Sequence, residues 1–292
     1  MTEQRTFRAA LVQMRTGRDV AANIDAAAKL IREAKSGGAV YVQTPEQTSL
    51  MELDRKSLFA HIVEEEHDPA LAAFRELARE LKIHLHVGSL AVKVSPDKAA
   101  NRAFFLDPDG EVIGRYDKIH MFDVDLANGE TYRESNTYRA GEIATVVATP
   151  FSRFGLSICY DVRFPALYRA LAEAGAEVLT VPAAFTKQTG EAHWHLLLRA
   201  RAVETGCFVL AAAQGGHHEN GRDTYGHSLV IDPWGRVVAE AGIDPGVIIA
   251  DIDLSQVAGA RRKIPALEHG RRFEVQAPSR DGGRLHLVDK AS

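Results

Sequence analysis

The sequence carries one pattern twice, at Phe104-Phe-Leu-Asp-Pro-Asp-Gly-Glu-Val-Ile113 and at Leu229-Val-Ile-Asp-Pro-Trp-Gly-Arg-Val-Val238. In each copy, two runs of strand-forming residues flank a turn that contains Pro and Gly. Proline fixes one backbone dihedral and glycine permits conformations closed to other residues, and both suit a hairpin reversal. Each copy therefore predicts a β-hairpin, and the repetition indicates that the chain contains two related halves.

Alternating strand and helix patterns precede each hairpin. Runs of strand-forming residues predict strands, and apolar residues at helical spacing predict helices. In the first half we predict strands over 7–14, 39–43 and 84–90 and helices over 19–35 and 68–81. In the second half we predict strands over 154–159, 177–182 and 207–213 and helices over 165–174 and 190–206. This alternation is typical of an α/β protein in which each half contributes one layer of strands and one of helices.

The two halves are predicted to form a single domain over residues 1–275. A length of 292 residues would permit two domains, but no Gly/Ser-rich or Pro-rich linker separates the halves. A predicted strand over 145–149 runs almost directly into the next apolar segment. Residues 276–292, which are rich in Arg, Gly and Asp, are expected to form a C-terminal extension.

The composition indicates an ordinary globular protein. The chain is 46% hydrophobic and 25% charged, which excludes the disordered and fibrous classes. Its formal net charge of -4 supplies no basic field for nucleic acid or anionic lipid, so neither is expected as a partner. The polar start, Met1-Thr-Glu-Gln-Arg-Thr6, lacks the apolar stretch of a signal peptide, and no later run approaches the ~20 apolar residues of a membrane span. We therefore expect a cytoplasmic protein.

The chain contains two cysteines, Cys159 and Cys207, which are too few for a disulfide framework and lack the paired spacing of a zinc site. Free cysteine is usually a small buried hydrophobe, and Cys207, which opens an apolar strand, is predicted to be one. Cys159 differs because it lies at a strand-to-helix junction, where the backbone N–H of Tyr160 can face a reacting carbonyl and Pro165 can open the helix. Cys159 is thus a candidate nucleophile, with a core cysteine as the alternative.

Two charged residues follow other predicted strands. Glu46, in Thr-Pro-Glu, follows the strand over 39–43, at the edge where ligands collect in open α/β sheets. Lys118 follows the first hairpin, although a loop lysine is most often solvated. Each signal is weak alone. Together with Cys159 they place a carboxylate, an ammonium and a thiol at successive strand ends, which suffices for a base, an electrophile and a nucleophile.

These segments resemble the nitrilase superfamily of carbon-nitrogen hydrolases over about residues 6 to 275. The Glu-Lys-Cys signature of the family aligns with Glu46, with Lys118 in Arg-Tyr-Asp-Lys-Ile-His, and with Cys159 in Ile-Cys-Tyr-Asp. The second glutamate of the family aligns with Glu134 in Tyr-Arg-Glu-Ser. The resemblance implies a four-layer α-β-β-α sandwich with internal pseudo-two-fold halves, no cofactor, and a homodimer or larger homo-oligomer that pairs across helices.

The residues after the cysteine indicate the branch. True nitrilases typically carry Cys-Trp-Glu, whereas Cys159-Tyr-Asp-Val-Arg-Phe-Pro165 resembles the Nit branch of ω-amidases and deaminated-glutathione amidases. This resemblance implies a small-molecule amide substrate, hydrolysed to a carboxylic acid and ammonia, with deaminated glutathione or a related ω-amide acid expected. Ala166, in place of a frequent glutamate, and the segment 47–53 depart from the pattern and leave the acyl group open.

The resemblance also implies the roles of the catalytic residues, and residue chemistry and position suggest three further candidates. Glu46 is expected to be the general base, Lys118 and the backbone N–H of Tyr160 to stabilise the oxyanion, and Glu134 to hold Lys118. Arg163 is a candidate for a substrate carboxylate because guanidinium presents a rigid pair of donors, with a surface salt bridge as an equal alternative. Two further residues are expected to line the pocket, namely Phe185 and Thr186.

Two other functions and a metal site are alternatives to the amidase interpretation. The same residues could hydrolyse an N-carbamoyl amide, or the fold could persist in a non-catalytic binding protein. Among twelve histidines, His193 and His195 are two apart, which on a helix directs their rings to different faces, unlike zinc ligands spaced i, i+4. His217-His218 with His227 is the other candidate group, and the segment 215–221 is predicted to be a mobile polar loop near the pocket. No metal is predicted.

Overall fold

The computed structural model describes residues 5–126, 129–278 and 285–288. Within these ranges the helices are α1 Val20–Ser36, α2 Arg55–His61, α3 Pro69–Leu81, α4 Pro165–Glu173, α5 Lys187–Thr205 and α6 Ser255–Lys263. None of the helices in this part of the chain is both long enough and apolar enough to cross a membrane.

Most of the strands have three or four residues. In chain order they are β1 Thr6–Gln13, β2 Tyr41–Gln43, β3 His84–Lys93, β4 Ala99–Leu106, β5 Val112–Asp117, β6 Asp123–Asp125, β7 Thr131–Arg133, β8 Val146–Ala148, β9 Arg153–Leu156, β10 Val178–Thr180, β11 Phe208–Ala211, β12 Gly215–His217, β13 Asp223–Tyr225, β14 Leu229–Ile231, β15 Val237–Glu240, β16 Gly246–Asp253, β17 Val275–Pro278 and β18 Leu285–Val288.

Among the described residues, two six-stranded sheets share one topology. The first has the order β16-β1-β2-β3-β4-β5, and the second has the order β8-β9-β10-β11-β14-β15. In each sheet an antiparallel edge strand is followed by three parallel strands and then by an antiparallel hairpin. The prediction of two related halves is therefore confirmed at the level of strand order and direction.

The hairpin turns repeat the same hydrogen bonds. Asp107 accepts at Oδ1 from the backbone N–H groups two and four residues later, each at 2.9 Å, and Asp232 does so at 2.8 and 2.9 Å. Gly110 and Gly235 occupy the same position with φ of +75° and +82°, a conformation that other residues rarely adopt. The Asp-Pro-X-Gly pattern thus specifies both turns through local chemistry.

The layers stack as α-β-β-α. Helices α1 and α3 cover the first sheet, and α4 and α5 cover the second. Between the sheets, the ring of Tyr41 on β2 stacks on Phe154 of β9 at 4.7 Å, and Phe105 of β4 lies 5.1 Å from Phe154. These contacts join the halves in one apolar core, so the predicted four-layer sandwich is confirmed.

The predicted strand before Cys159 ends earlier than expected. The strand predicted over 154–159 ends at Leu156, because the N–H of Ile158 donates to the carboxylate of Asp161 at 2.8 Å instead of to a neighbouring strand. Cys159 then opens a 3₁₀ turn, Cys159–Arg163, and Pro165 is the first residue of α4 as predicted. The candidate nucleophile therefore lies on the turn itself.

The C-terminal extension predicted over 276–292 lies partly outside the described residues. Within them, β17 and β18 pair as an antiparallel hairpin. Residues 279–284 and 289–292 are not among those described, nor are residues 1–4 of the polar start. The boundary at 275 stays a prediction.

Candidate active site

A cavity of about 220 Å³ lies where strands from both sheets end. Glu46 follows β2, Lys118 follows β5, and Cys159 follows β9, and all three side chains line it together with Glu134. Carboxyl ends of parallel strands form the usual ligand-binding edge of an α/β sheet. The structure therefore brings together the four residues that the sequence singled out.

Cys159 has an unusual backbone conformation. Its φ is +49°, in the left-handed region, where a residue with a Cβ atom is strained. The turn is held because the N–H of Cys159 donates to the carbonyl of Pro182 at 2.9 Å. The residue is 6% exposed, and its thiol lines the cavity together with the carboxylate of Glu46, whose charge acts on it. The strained turn thus presents the sulfur to the cavity beside a carboxylate.

Lys118 lies between two carboxylates. Its Nζ is 3.0 Å from Oε1 of Glu46 and 2.9 Å from Oε2 of Glu134, and its side chain is 2% exposed. Its backbone is fixed as well, since its N–H donates to the carbonyl of Asn101 and its own carbonyl accepts from Gly141. A lysine held this way has little freedom to turn toward solvent, in contrast to an ordinary loop lysine.

Asn101 of β4 completes the network. Its Nδ2 donates to Oε1 of Glu46 at 2.9 Å and to Oε1 of Glu134 at 3.1 Å. The other oxygen of Glu46, Oε2, accepts from the backbone N–H of Ala184 at 2.8 Å. Ala184 belongs to the second half of the chain. Each carboxylate is therefore fixed through both oxygens, because Oε2 of Glu134 also accepts from the N–H of Phe122 at 2.7 Å.

The electrostatics favour a charged base, a charged lysine and a neutral thiol. Burial opposes ionisation of Glu46, but Lys118 and Arg222 outweigh it and lower the pKa of this carboxyl below its usual value. Burial likewise opposes the charge of Lys118, but Glu134 and Glu46 raise its pKa well above the usual value. For Cys159, burial and then the negative charge of Glu46 raise the pKa of the thiol. At neutral pH the sulfur therefore keeps its proton until a substrate arrives.

Asp161 ties the cysteine turn to the segment that carries Lys118. This fully buried carboxylate accepts at Oδ2 from Tyr116 Oη at 2.7 Å, besides the N–H of Ile158. Its Oδ1 accepts from the backbone N–H of His120 at 3.0 Å and lies 2.7 Å from Nδ1 of the same residue. Asp161 is thus a positioning residue that sets the turn relative to the strand end before Lys118.

The predicted substrate-binding residues occupy different places. Phe185 and Thr186 lie in the cavity wall, as does Tyr160. Arg163 does not line the cavity; its guanidinium carbon lies 5.3 Å from the ring centre of Phe185 and 5.8 Å from that of Tyr160. Arg163 forms no ion pair with a carboxylate of the described residues and instead contacts His193 at 3.4 Å. The surface salt bridge considered as its alternative role is therefore not observed.

Arg222 is a cavity residue that the sequence reasoning missed. Its Nη2 donates to the carbonyl of Ala184, and its guanidinium lies over the ring of Tyr132 at 5.3 Å. The Nε atom is buried without a hydrogen-bond partner within the described part of the chain. A buried donor of this kind is costly to leave unpaired, so this edge of the cavity is suited to an anionic or carbonyl group.

Other residues have structural roles. Cys207 is fully buried in the core with Sγ 3.3 Å from the carbonyl of Ala176, which confirms its prediction as a packed core cysteine. His217 pairs with Asp223, and His218 is buried against Thr224. Outside the cavity, His195 and His227 meet at one carboxylate, a grouping that the sequence spacing did not reveal.

Comparison with known proteins establishes the family. A family model described as carbon-nitrogen hydrolase matches residues 8–262. The chain belongs to the carbon-nitrogen hydrolases. The resemblance seen in the sequence is thereby confirmed, and the site residues described above lie within the matched segment.

Relatives of this carbon-nitrogen hydrolase cover almost its whole length. A deaminated glutathione amidase of Yersinia enterocolitica is 41% identical over 90% of this chain and 92% of the relative. The crystal structure of Nit3 of Saccharomyces cerevisiae, a member of branch 10 of the nitrilase superfamily, is 31% identical, has a TM-score of 0.83, and is matched over 92% of this chain and 97% of its own.

Another solved structure similar to this carbon-nitrogen hydrolase has a chemically modified cysteine. It is a mutant of an amidase from Nesterenkonia in which acrylamide has added to the active-site cysteine. That protein is 28% identical with a TM-score of 0.75, over 89% of this chain and 98% of its own. The acrylamide adduct is a property of that enzyme.

Proposed function

We propose that this carbon-nitrogen hydrolase cleaves a linear amide through a thioester on Cys159. The observation that carries the proposal is the convergence of a thiol, a carboxylate and an ammonium in one cavity, where Glu46 lies 3.0 Å from Lys118 and its charge acts on the thiol of Cys159. Family membership and the amidases among its relatives support the same reaction class.

The attack requires a proton transfer because the resting thiol is neutral. Glu46, charged and lining the same cavity as Cys159, takes the thiol proton as sulfur bonds to the amide carbon. Negative charge then develops on the carbonyl oxygen. Lys118 and the N–H of Tyr160, which stands early in the 3₁₀ turn where no intrahelical acceptor is available, stabilise this oxyanion.

The intermediate collapses when Glu46 returns the proton to the departing nitrogen, which leaves an acyl group on sulfur. Glu46 is then a carboxylate again and accepts a proton from the water that hydrolyses the thioester. Glu134 keeps Lys118 charged throughout, because its two oxygens lie 3.1 and 2.9 Å from Nζ. One carboxylate thus serves acylation and deacylation in turn.

The expected leaving group needs a correction. Ammonia is the leaving group expected from the resemblance, and it fits a primary ω-amide. In glutathione, the amide nitrogen of the γ-glutamyl bond belongs to cysteine, so a deaminated glutathione would release the amine of a cysteinylglycine dipeptide instead. An assay based on ammonia alone would miss that reaction. The substrate favoured by the names of the relatives is deaminated glutathione.

The experiment that tests this function compares substrate classes on the purified enzyme. Deaminated glutathione, α-ketoglutaramate, a simple amide, a nitrile and an N-carbamoyl amino acid would be scored by release of the acid product. We expect deaminated glutathione to give the highest kcat/KM. Carbon dioxide from the N-carbamoyl compound would support the alternative hydrolase, and inertness toward the whole panel would support the binding-protein alternative and overturn the proposal.

Arg222 is proposed to bind a carboxylate or carbonyl of the acyl group. A hydrogen bond to a charged partner contributes about 1.5 to 3 kcal/mol, so Arg222→Gln is expected to lower kcat/KM for a carboxylate-bearing amide by about 10- to 100-fold. A neutral amide should lose less. Because Arg222 also lowers the pKa of Glu46, the comparison between the two substrates is the relevant measurement.

Arg163→Gln provides the matched control in that assay. Arg163 lies behind the rings of Phe185 and Tyr160, and its role as a carboxylate ligand stays a proposal. We expect a smaller difference between charged and neutral substrates in Arg163→Gln than in Arg222→Gln. Equal losses on both substrates in Arg222→Gln would contradict the proposed binding role.

A homodimer or larger homo-oligomer also stays a proposal. Exposed apolar side chains on α5, Leu196 and Val203, support it, since Val203 lies beside Gly235 of the second hairpin turn and near the half-exposed Trp234. An apolar surface of this kind is a common interaction face.

A further inference from the structure

Two histidines and a glutamate converge outside the catalytic cavity. His195 lies on α5, His227 lies between β13 and β14, and Glu240 ends β15. Nε2 of His195 is 2.9 Å and Nδ1 of His227 is 2.8 Å from the same oxygen, Oε1 of Glu240. The three ligand atoms all lie within 4.8 Å of one another, and none of these residues lines the catalytic cavity.

The donor set matches the preference of a zinc-class cation. Imidazole nitrogen and carboxylate oxygen are the usual ligands of Zn²⁺ and Co²⁺, and three protein ligands leave a position for water. Tetrahedral ligands with bonds of about 2 Å lie about 3.3 Å apart. The nitrogen–oxygen distances of 2.8 and 2.9 Å therefore need to open by only a few tenths of an ångström.

His227 is fixed in the orientation that the cluster needs. Its φ is +54°, and the backbone is held on both sides, since its N–H donates to Gly242 and its carbonyl accepts from Nε1 of Trp194, each at 2.8 Å. Its ring stacks on Tyr225 with centroids 4.3 Å apart. Nδ1 is thus kept toward Glu240 before any ion arrives, which reduces the entropy cost of binding.

A second histidine–carboxylate pair lacks a third ligand and is more exposed. His217 contacts Asp223 at 2.9 Å, but the pair has no third ligand within reach among the described residues, and the His217 side chain is 70% exposed. The side chains of His195, His227 and Glu240 are 34%, 26% and 38% exposed, so they are partly enclosed but accessible from solution.

From this geometry we infer that His195, His227 and Glu240 bind one divalent cation of the zinc class. The ion joins the middle of α5 to the segment after β13 and to β15. These elements are otherwise linked by packing and a few hydrogen bonds. A ligand that binds only the folded state stabilises it, so the bound ion raises the midpoint of thermal unfolding.

The test is a titration of the full chain, without an affinity tag, with Co²⁺, followed by visible absorbance and by calorimetry. We expect one equivalent to bind and the unfolding midpoint to rise with cobalt concentration. Loss of a ligand should weaken binding at least about tenfold in Glu240→Gln and in His227→Asn. Asparagine is chosen for His227 because it tolerates positive φ.

Two controls separate this site from others. His217→Ala should bind cobalt as the wild type does, and so should Cys159→Ala, which removes the accessible thiol of the catalytic cavity. Amide hydrolysis by Glu240→Gln reports that the variant is folded. The inference is overturned if no binding occurs at millimolar cobalt, if binding survives in both ligand variants, or if it disappears in Cys159→Ala.

Discussion

Cys159→Ala is expected to lose at least about 10⁴-fold in kcat while the protein stays folded, because removal of a nucleophile removes the covalent route entirely. The fold should tolerate the change. Alanine and cysteine both carry a Cβ atom, so the strain at φ +49° is the same in both, and the bond from the backbone N–H to Pro182 does not involve the side chain.

Cys207→Ala is the matched control for that variant. Both cysteines are buried, but Cys207 lies in the core with Sγ against the carbonyl of Ala176 and near Arg261. Its loss should cost stability and leave kcat unchanged. Steady-state hydrolysis of one amide by the two variants measures the difference, and comparable losses in both would count against Cys159 as the nucleophile.

Lys118→Gln is expected to lower kcat by at least about 10²- to 10³-fold, the loss seen when one oxyanion donor is removed. The variant also leaves Glu46 and Glu134 buried without their shared cation, and breaking such a buried pair typically costs about 3 to 5 kcal/mol of stability. Lys118→Gln combined with Glu134→Gln removes one of the two charges and should recover stability without recovering kcat.

The pH dependence of the same variants separates the two effects. Lys118 lowers the pKa of Glu46, so in the wild type the carboxylate that acts as base is lost only when the pH falls through that lowered value. Without Lys118 the pKa of Glu46 rises, and the acid limb of the kcat/KM profile should move to higher pH. An unshifted acid limb in a folded Lys118→Gln protein would contradict the role of Glu46 as base.

The sequence predicted those parts of the fold that depend on local chemistry. The two hairpins follow from Asp-Pro-X-Gly turns, and Pro165 opens α4 because a first helical residue needs no N–H partner. Helix α3 begins at Pro69, one residue after the predicted start at Asp68, whose carboxylate caps it through the N–H groups of Ala70 and Leu71.

Features without a clear periodic pattern, or decided by a competing local hydrogen bond, were missed. Helix α2 and the short pair β6–β7 carry little periodic pattern, and the predicted strand before Cys159 ends early because Asp161 satisfies Ile158. A sequence pattern does not show that the N–H of Ile158 bonds to Asp161 instead of to a neighbouring strand, since strand propensity continues through Ile158. Helix α5 begins at Lys187 and not at 190.

The residues of the site likewise fall into those that the sequence pattern predicted and those that it did not. Glu46, Lys118 and Cys159 stand at strand ends, which topology brings to one edge. Asn101 lies within a strand and resembles an ordinary polar residue until its amide is seen between Glu46 and Glu134. Arg222 directly follows the polar loop predicted over 215–221 and carries no sequence pattern of its own, so only its unpaired Nε and its place in the cavity wall set it apart.

The most direct test of the account is to find the acyl group during turnover. Wild-type enzyme with saturating amide would be quenched in acid within its first turnovers, digested, and analysed by mass spectrometry. A thioester mechanism predicts an added acyl mass on the peptide that contains Cys159, present in Cys207→Ala and absent in Cys159→Ala. An acyl group on another side chain, or undiminished hydrolysis by Cys159→Ala, would contradict it.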